Sequence, residues 1–292
     1  MPSNPHTPRG NRPKFTPNTP RGTTFKKPPL ELFGTTLWEY PSQHYTPEPR
    51  AGKPAPLDRK PTPPAGTPDP LGSTPGPRHA GIQGDPNYVG ATPSWVIWQL
   101  LQRYTEPGER VLDPMCGSGT TLDVCADLDR LGKGFDINPI RPDIERADAR
   151  ALPLPEACCD FVFVDPPYST HINYSDAPTC IGKLDAGGRD HGRAYYQAMA
   201  RVIAEIARVL RPGRHMGLYV SDSRRDKQGS PEFMPIGFEL FAILRQHFEP
   251  VDIVAVVRHN AKLKHPNRRE QTIETDSLQR GFNYLFIMRK KA

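Results

Sequence analysis

The sequence predicts an α/β fold: a doubly wound, mostly parallel sheet with an antiparallel edge strand. Three observations carry that prediction. Apolar strands alternate with amphipathic helices from Thr92 onward, the pattern of a parallel sheet covered by helices. A glycine-rich turn joins the first of these strands to a helix. The last two strands have no helix between them, so they pair antiparallel at one edge.

The elements follow in order. "TPSWVIWQLLQRY" opens with Thr92 and Pro93, an N-cap and first-turn pair, and repeats Val96, Leu100 and Leu101 at helical spacing. "GERVLDPMCGSGTT" is a short strand running into the glycine-rich turn. "LDVCADLDRLG" resumes a helical period and stops at a glycine, and "KGFDINP" is the second strand. After "ADARALPL", the run "DFVFVDPPY" is a buried strand that ends on an aspartate, two prolines and a tyrosine. "YYQAMARVIAEIARVLRPG" is an amphipathic helix with Met199, Val202, Ile203, Ile206, Val209 and Leu210 on one face. It leads into the strand "HMGLYVSD". The helix "GFELFAILRQHF" and the closing strands "VDIVAVVRH" and "FNYLFIMRK" complete the pattern.

Composition divides the 292 residues into two parts. More than half of the 36 prolines fall before residue 90. Residues 1–87 read as a largely disordered, basic, proline-rich extension. Residues 88–292 are long enough for one catalytic domain with a sizeable core. Before residue 91 there are 11 Lys/Arg and 6 Asp/Glu, a balance of +5; the remainder holds 27 and 26, a balance of +1. A basic arm suits loose contact with a polyanion, and equally suits a solvated tail. One island in it, residues 32–45, is too rich in aromatics (Phe33, Trp38, Tyr40, Tyr45) for a free linker and is expected to dock on the main domain. The five cysteines are odd in number and lack metal-ligand spacing, which suggests reduced thiols in a cytoplasmic protein, with no metal site. No apolar run approaches the length of a membrane span.

The chemistry gathers at strand ends. In "DPMCGSGTT", Gly117 and Gly119 let backbone approach a ligand closely, and the following helix N-terminus offers free N–H groups. This is neither a Walker motif nor G-x-G-x-x-G. Asp136 ends the next strand, about 20 residues on, where a carboxylate can take ribose hydroxyls. Asp148 could accept from an adenine amino group. Either carboxylate alone reads equally well as a helix N-cap; in register with the loop they point to an adenosine compound. In "DPPY", consecutive prolines stiffen the turn and leave carbonyl acceptors without donors. Asp165 and the Pro166 carbonyl can grip both hydrogens of an amino group, and Tyr168 offers a stacking face. Such a claw fits an extruded base bearing an exocyclic amine.

"DPMCGSGTT" followed by "DPPY" resembles the S-adenosylmethionine-dependent amino methyltransferases of DNA, which make N6-methyladenine or N4-methylcytosine. The resemblance spans roughly residues 88–292, with "TTLWEYP" similar to a Trp-containing segment that precedes the family's first helix. It implies a Rossmann-like methyltransferase sheet with S-adenosyl-L-methionine as cofactor. It also implies that Thr92, Asp113, Met115, Cys116, Gly117, Gly119 and Thr120 line the methionine end. Asp136 with Ile137 would hold the ribose, Asp148 with Ala149 the adenine. Asp165, Pro166, Pro167 and Tyr168 would hold the target base and carry the catalytic role, by direct in-line transfer without a Cys116 nucleophile. Adenine N6 is favoured over cytosine N4 because Asp, and not Ser, opens the claw.

The sequence departs from the family at Met115-Cys116, where Phe and a small residue are commoner. No large target-recognition domain is evident either. The loop between the closing strands, with Arg258, Lys262, Lys264, Arg268 and Arg269, could track phosphates of double-stranded DNA in its place. His171, Asn173, Tyr174 and Lys183, in the polar segment after the claw, are further candidates, as are Ser221 and Asp222. An RNA base N-methyltransferase and a non-enzymatic nucleic-acid-binding module are the alternatives. A restriction partner is compatible with the resemblance.

Overall fold

The computed structural model describes residues 27–47, 82–85, 87–168, 170, 172–188, 190–227, 230–258, 278 and 280–292. The basic arm before residue 27, His171, and Lys262, Lys264, Arg268 and Arg269 lie outside the described residues.

The centre is built from solidly apolar strands. β2 (Arg110–Asp113), β3 (Leu131–Asp136), β4 (Ile144–Arg146), β5 (Cys159–Val164) and β6 (Leu210–Val220) pair parallel, β4 adding a short strand that the sequence pattern left unread. β5 is buried along its whole length, as a central parallel strand must be. The closing strands are β9 (Phe248–Val257) and β10 (Phe282–Lys290), which pair antiparallel with each other. They do not end the sheet. β10 is inserted between β9 and β6, antiparallel to both, and β9 is covered in turn by β1 (Leu37–Trp38). The order is β1-β9-β10-β6-β5-β2-β3-β4. β1 comes from the aromatic island; the Ala255 N–H donates to Thr36 O at 2.8 Å, so part of the open edge of β9 is satisfied.

Helices cover both faces. α1 (Ser94–Tyr104), α2 (Thr120–Asp127) and the island bury one apolar layer, in which Trp38, Tyr40 and Tyr45 join Trp95, Val96, Ile97, Phe161 and Phe163. α3 (Arg193–Val209) and α4 (Ile236–His247) cover the other face with Met199, Val202, Ile203, Ile206, Leu240 and Leu244. α3 stops before Pro212-Gly213: Leu210 already belongs to β6, which takes up the extra residues as an irregularity between Cys159 and Phe161 of its neighbour. A second small sheet, the hairpin β7 (Ser223–Lys227) and β8 (Ser230–Met234), follows the carboxyl end of β6.

A boundary at residue 88 cuts through this core. Gln83 is buried, donating to Asp127 Oδ2 at 3.0 Å and accepting from the Ser94 hydroxyl at 2.9 Å. The Gly84 N–H donates to Asp123 Oδ2 at 2.7 Å, and the Tyr45 hydroxyl to Asp127 Oδ2 at 2.7 Å. The docked segment also starts earlier than residue 32: Lys27 donates to His44 O, and the Tyr40 hydroxyl to Pro28 O, both at 2.9 Å. Among the described residues no helix is long and apolar enough to cross a membrane, and no cluster of three or more His, Cys, Asp or Glu is placed to hold a metal. All five cysteines are buried and free.

Candidate active site

The carboxyl ends of β2, β3, β5 and β6 meet at one rim, the place where open α/β sheets bind ligands. The turn after β2 is held from within. Asp113 is buried; the Thr121 hydroxyl donates to its Oδ2 at 2.5 Å and the Met115 N–H to its Oδ1 at 3.1 Å. Burial pushes this carboxyl up to about 7 against those two bonds, with Asp136 adding to the rise. Asp136 takes the Gly117 N–H on Oδ2 at 2.9 Å and the Asn138 N–H on Oδ1 at 2.8 Å. A carboxylate has about four acceptor positions, so each oxygen keeps one free.

Two adjoining clefts flank this turn. One encloses about 570 Å³ and is lined by Asp136, Ile137, Asp148, Ala149, Pro167 and Met115, among others. The second, of about 420 Å³, is lined by Thr92, Asp113, Met115, Cys116, Gly117 and Thr120, among others. The sequence-predicted cofactor residues are thus brought together, except that Gly119 faces away from both clefts toward Arg141. Asp148 is largely committed: Arg150 binds its carboxylate at 2.6 to 3.1 Å and holds its pKa low, leaving it a weaker acceptor for an adenine amine than an unpaired carboxylate. The Cys116 thiol is pushed well up by burial and stays protonated, consistent with a packing role.

Asp165 stands where three cavities meet. It lines both clefts and also a third, wider one of about 1030 Å³, bounded by Tyr168, Tyr219, Arg258 and Asn283 on one side and Tyr40–Gln43 on the other. The Thr92 hydroxyl donates to Asp165 Oδ2 at 2.5 Å. Thr92 is therefore not the cap of α1. That position falls on Pro93, and the threonine fixes the Asp165 carboxyl instead. Burial pushes Asp165 up to about 8; the Thr92 bond opposes the rise and Asp113 adds to it. Tyr168 faces the third cavity alone, Pro166 is buried, and Pro167 lines the first cleft beside Asp136. The claw so divides its residues between two sides of Asp165.

Two tyrosines bridge the first two clefts. Tyr88 packs on Gly117, whose φ of 46° is left-handed; a Cβ there would stand 2.9 Å from the Tyr88 hydroxyl. Tyr174, which the sequence marked only as one candidate among several, lines both clefts, and its hydroxyl would lie 3.2 Å from a Cβ on Gly90. Burial raises both phenols. Tyr88 carried no pattern in the sequence, because it lies in an irregular stretch between the proline-rich extension and α1. Arg141 was also missed. It binds Asp123 at 2.9 Å and Asp143 at 2.6 Å and donates to Ser118 O, bracing the loop from behind. Of the remaining candidates, Lys183 donates to Asp176 O, Asn173 reaches Asp176, and Asp222 accepts from the Gly237 N–H at the start of α4. Ser221 is buried against its own neighbour. These four serve local structure.

Comparison with known proteins adds an independent view. Residues 33–144 match the family model described as DNA methylase. No curated protein matches the chain. Among solved structures, a Thermus thermophilus protein proposed to be a DNA modification methylase, complexed with S-adenosyl-L-methionine, is 20% identical; 50% of this chain covers 54% of that one, with a TM-score of 0.36. A Methanosarcina mazei SAM-dependent methyltransferase is 14% identical over 66% of this chain and 97% of its own, with a TM-score of 0.43. TrmN from Thermus thermophilus is 19% identical over 69% of this chain and 50% of its own, also at 0.43. The chain spans about half the length of the first of these. The family match starts inside the docked island and runs through the glycine-rich turn and Asp136 to the first residue of β4. Residues 33–144 are similar to a DNA methylase domain; the match holds the glycine-rich motif of the sequence resemblance and ends before Asp165.

Proposed function

We propose that the protein transfers a methyl group from S-adenosyl-L-methionine to the exocyclic amino group of a base flipped out of double-stranded DNA, adenine N6 in preference to cytosine N4. The observation that carries this reading is the position of Asp165, on the shared wall of the two cofactor-type clefts and the third cavity. A donor and an acceptor bound on either side of it would be in contact.

The residues fit the cofactor. Asp136 retains free acceptor capacity for ribose hydroxyls, Ile137 and Ala149 give apolar walls for a purine, and Gly117, lacking a Cβ, lets the Tyr88 ring close against the turn. Bound there, S-adenosylmethionine supplies an activated methyl group on a positively charged sulfur. Asp165 and the Pro166 carbonyl orient the amino group and accept its hydrogens. Thr92 fixes the carboxylate, and Tyr168 stacks on the ring. Accepting amino hydrogens favours the ionised form of Asp165, so substrate binding lowers the raised pKa. Arg258, which lines the third cavity, would take a phosphate or a ring acceptor.

The test is incubation with methyl-labelled S-adenosylmethionine and separate DNA and RNA pools, followed by nucleoside analysis. Label in N6-methyladenine from DNA is the expected result. Label only in RNA, or in neither pool despite measurable cofactor binding, contradicts the proposal.

A further inference from the structure

Beyond the rim of the third cavity lies a surface that the methyl-transfer reading does not use. Arg224 on β7 and Arg280 before β10 both lie over the ring of Phe233 on β8, with guanidinium carbons 5.6 and 5.0 Å from its centroid. Phe282 follows Arg280 by two residues and meets Tyr284 edge-on at 5.1 Å; Phe238 on α4 meets the same tyrosine at 5.6 Å. The three phenylalanines are exposed: 43% for Phe233, 59% for Phe238 and 41% for Phe282. Exposed aromatic rings gathered on one surface mark an interaction site more often than singly scattered ones do.

The two arginines of this patch form no ion pair with another described residue. Among the described residues neither guanidinium meets a carboxylate; Arg280 donates to Leu278 O at 3.3 Å, and the Nε of each arginine is buried without a partner. The described acids nearby are engaged or remote. Asp222 is held by the Gly237 N–H and the Tyr284 hydroxyl, and Glu232 takes the Gly188 N–H. Glu239 is on the exposed side of α4. The patch is also continuous with the site: Phe282 is followed by Asn283, which lines the third cavity, and Gly281 O accepts from the Arg258 N–H at 2.9 Å.

We propose that this patch is a second nucleic-acid contact, a stacking platform for bases left unpaired where the duplex opens beside the flipped target, with Arg224 and Arg280 taking the phosphates of that strand. Exposed aromatic rings beside arginines are what single strands require: every base has a face to stack, and guanidinium planes both stack and neutralise phosphate. The alternation of β10 places Phe282 and Asn283 on opposite faces of the sheet. A strand leaving the third cavity at Asn283 thus reaches the platform by crossing the rim.

The inference rests on a nucleic-acid substrate but not on the claw, and the probe separates the two. Oligothymidylate has no exocyclic amino group. We expect the protein to bind a fluorescent thymidine oligonucleotide, measured by anisotropy across a salt series. The pair Arg224→Gln and Arg280→Gln should lower the slope of log affinity against log salt by about 1.4, roughly 0.7 for each lost cation. Phe282→Ala should weaken binding about tenfold, and Phe282→Trp should keep it within about twofold. Unchanged slope and affinity in the arginine and Phe282→Ala variants overturn the platform, as does wild-type protein that ignores the oligonucleotide. So does a change in sedimentation at constant oligonucleotide affinity, which would make the patch a contact between copies of this chain.

Discussion

Asp165 combines the site's tightest constraint with its clearest pH signature. Its folded pKa, about 8, lies far above the ordinary carboxyl value of 3.8. Between those values the folded protein holds a proton that the unfolded chain has lost. The stability this group contributes is therefore greatest below about pH 4 and falls as pH rises through the window to about 8. Asp113, pushed up to about 7, adds a slope of the same sign. Asp165→Asn removes the cost of burying a charge. Without ligand, its melting temperature at about pH 8.5 should exceed that of wild type by at least about 2 °C, the effect of roughly 1 kcal/mol in a domain of this size. The gap should close toward about pH 4, and a melting difference independent of pH contradicts the assigned burial. Residue identities at this site were legible in the sequence because strand ends, glycines and prolines punctuate it. Partners were not. That Thr92 serves Asp165 and not a helix cap, and that Arg150 occupies Asp148, depend on distances no periodicity encodes.

At the scale of elements, the island matters more than its two-residue strand suggests. Trp38, Tyr40 and Tyr45 are buried against α1, and Arg103 of that helix lies 5.3 Å from the Trp38 ring centroid. Tyr40 to Gln43 also line the third cavity, so the fold and that cavity share this segment. Removing a buried tryptophan costs about 3–5 kcal/mol. Trp38→Ala should lower the melting temperature by at least about 6 °C, and a shift under about 2 °C would mean that the island contributes little to stability. The alternation of strands and helices was readable because each core element has a strong period. β4, β7 and β8 were not, being short, polar and stabilised by pairing. β10's place inside the sheet was hidden for a related reason: a connection of unknown path leaves open which neighbour a strand joins.

At the scale of the whole molecule, three cavities share one rim of one sheet. The turn after β2 and the end of β3 form the cofactor-type clefts, and the end of β5 supplies the shared wall. The ends of β6, β9 and β10 border the third cavity, where the proposed reading seats the nucleic acid. Transfer requires both sides to be filled, and Asp165 is the residue common to them. The most direct measurement is a paired one on Asp165→Ala: calorimetric affinity for S-adenosylmethionine, and single-turnover methyl transfer to the nucleic acid that the wild-type protein modifies. An acceptor needed to orient the amino group acts in the transition state, so its loss should fall on turnover. The account predicts cofactor affinity within about threefold of wild type, and methyl transfer reduced by at least about a thousandfold, or some 4 kcal/mol. Wild-type turnover in Asp165→Ala would contradict it and leave the aspartate and its two prolines as no more than the end of a strand.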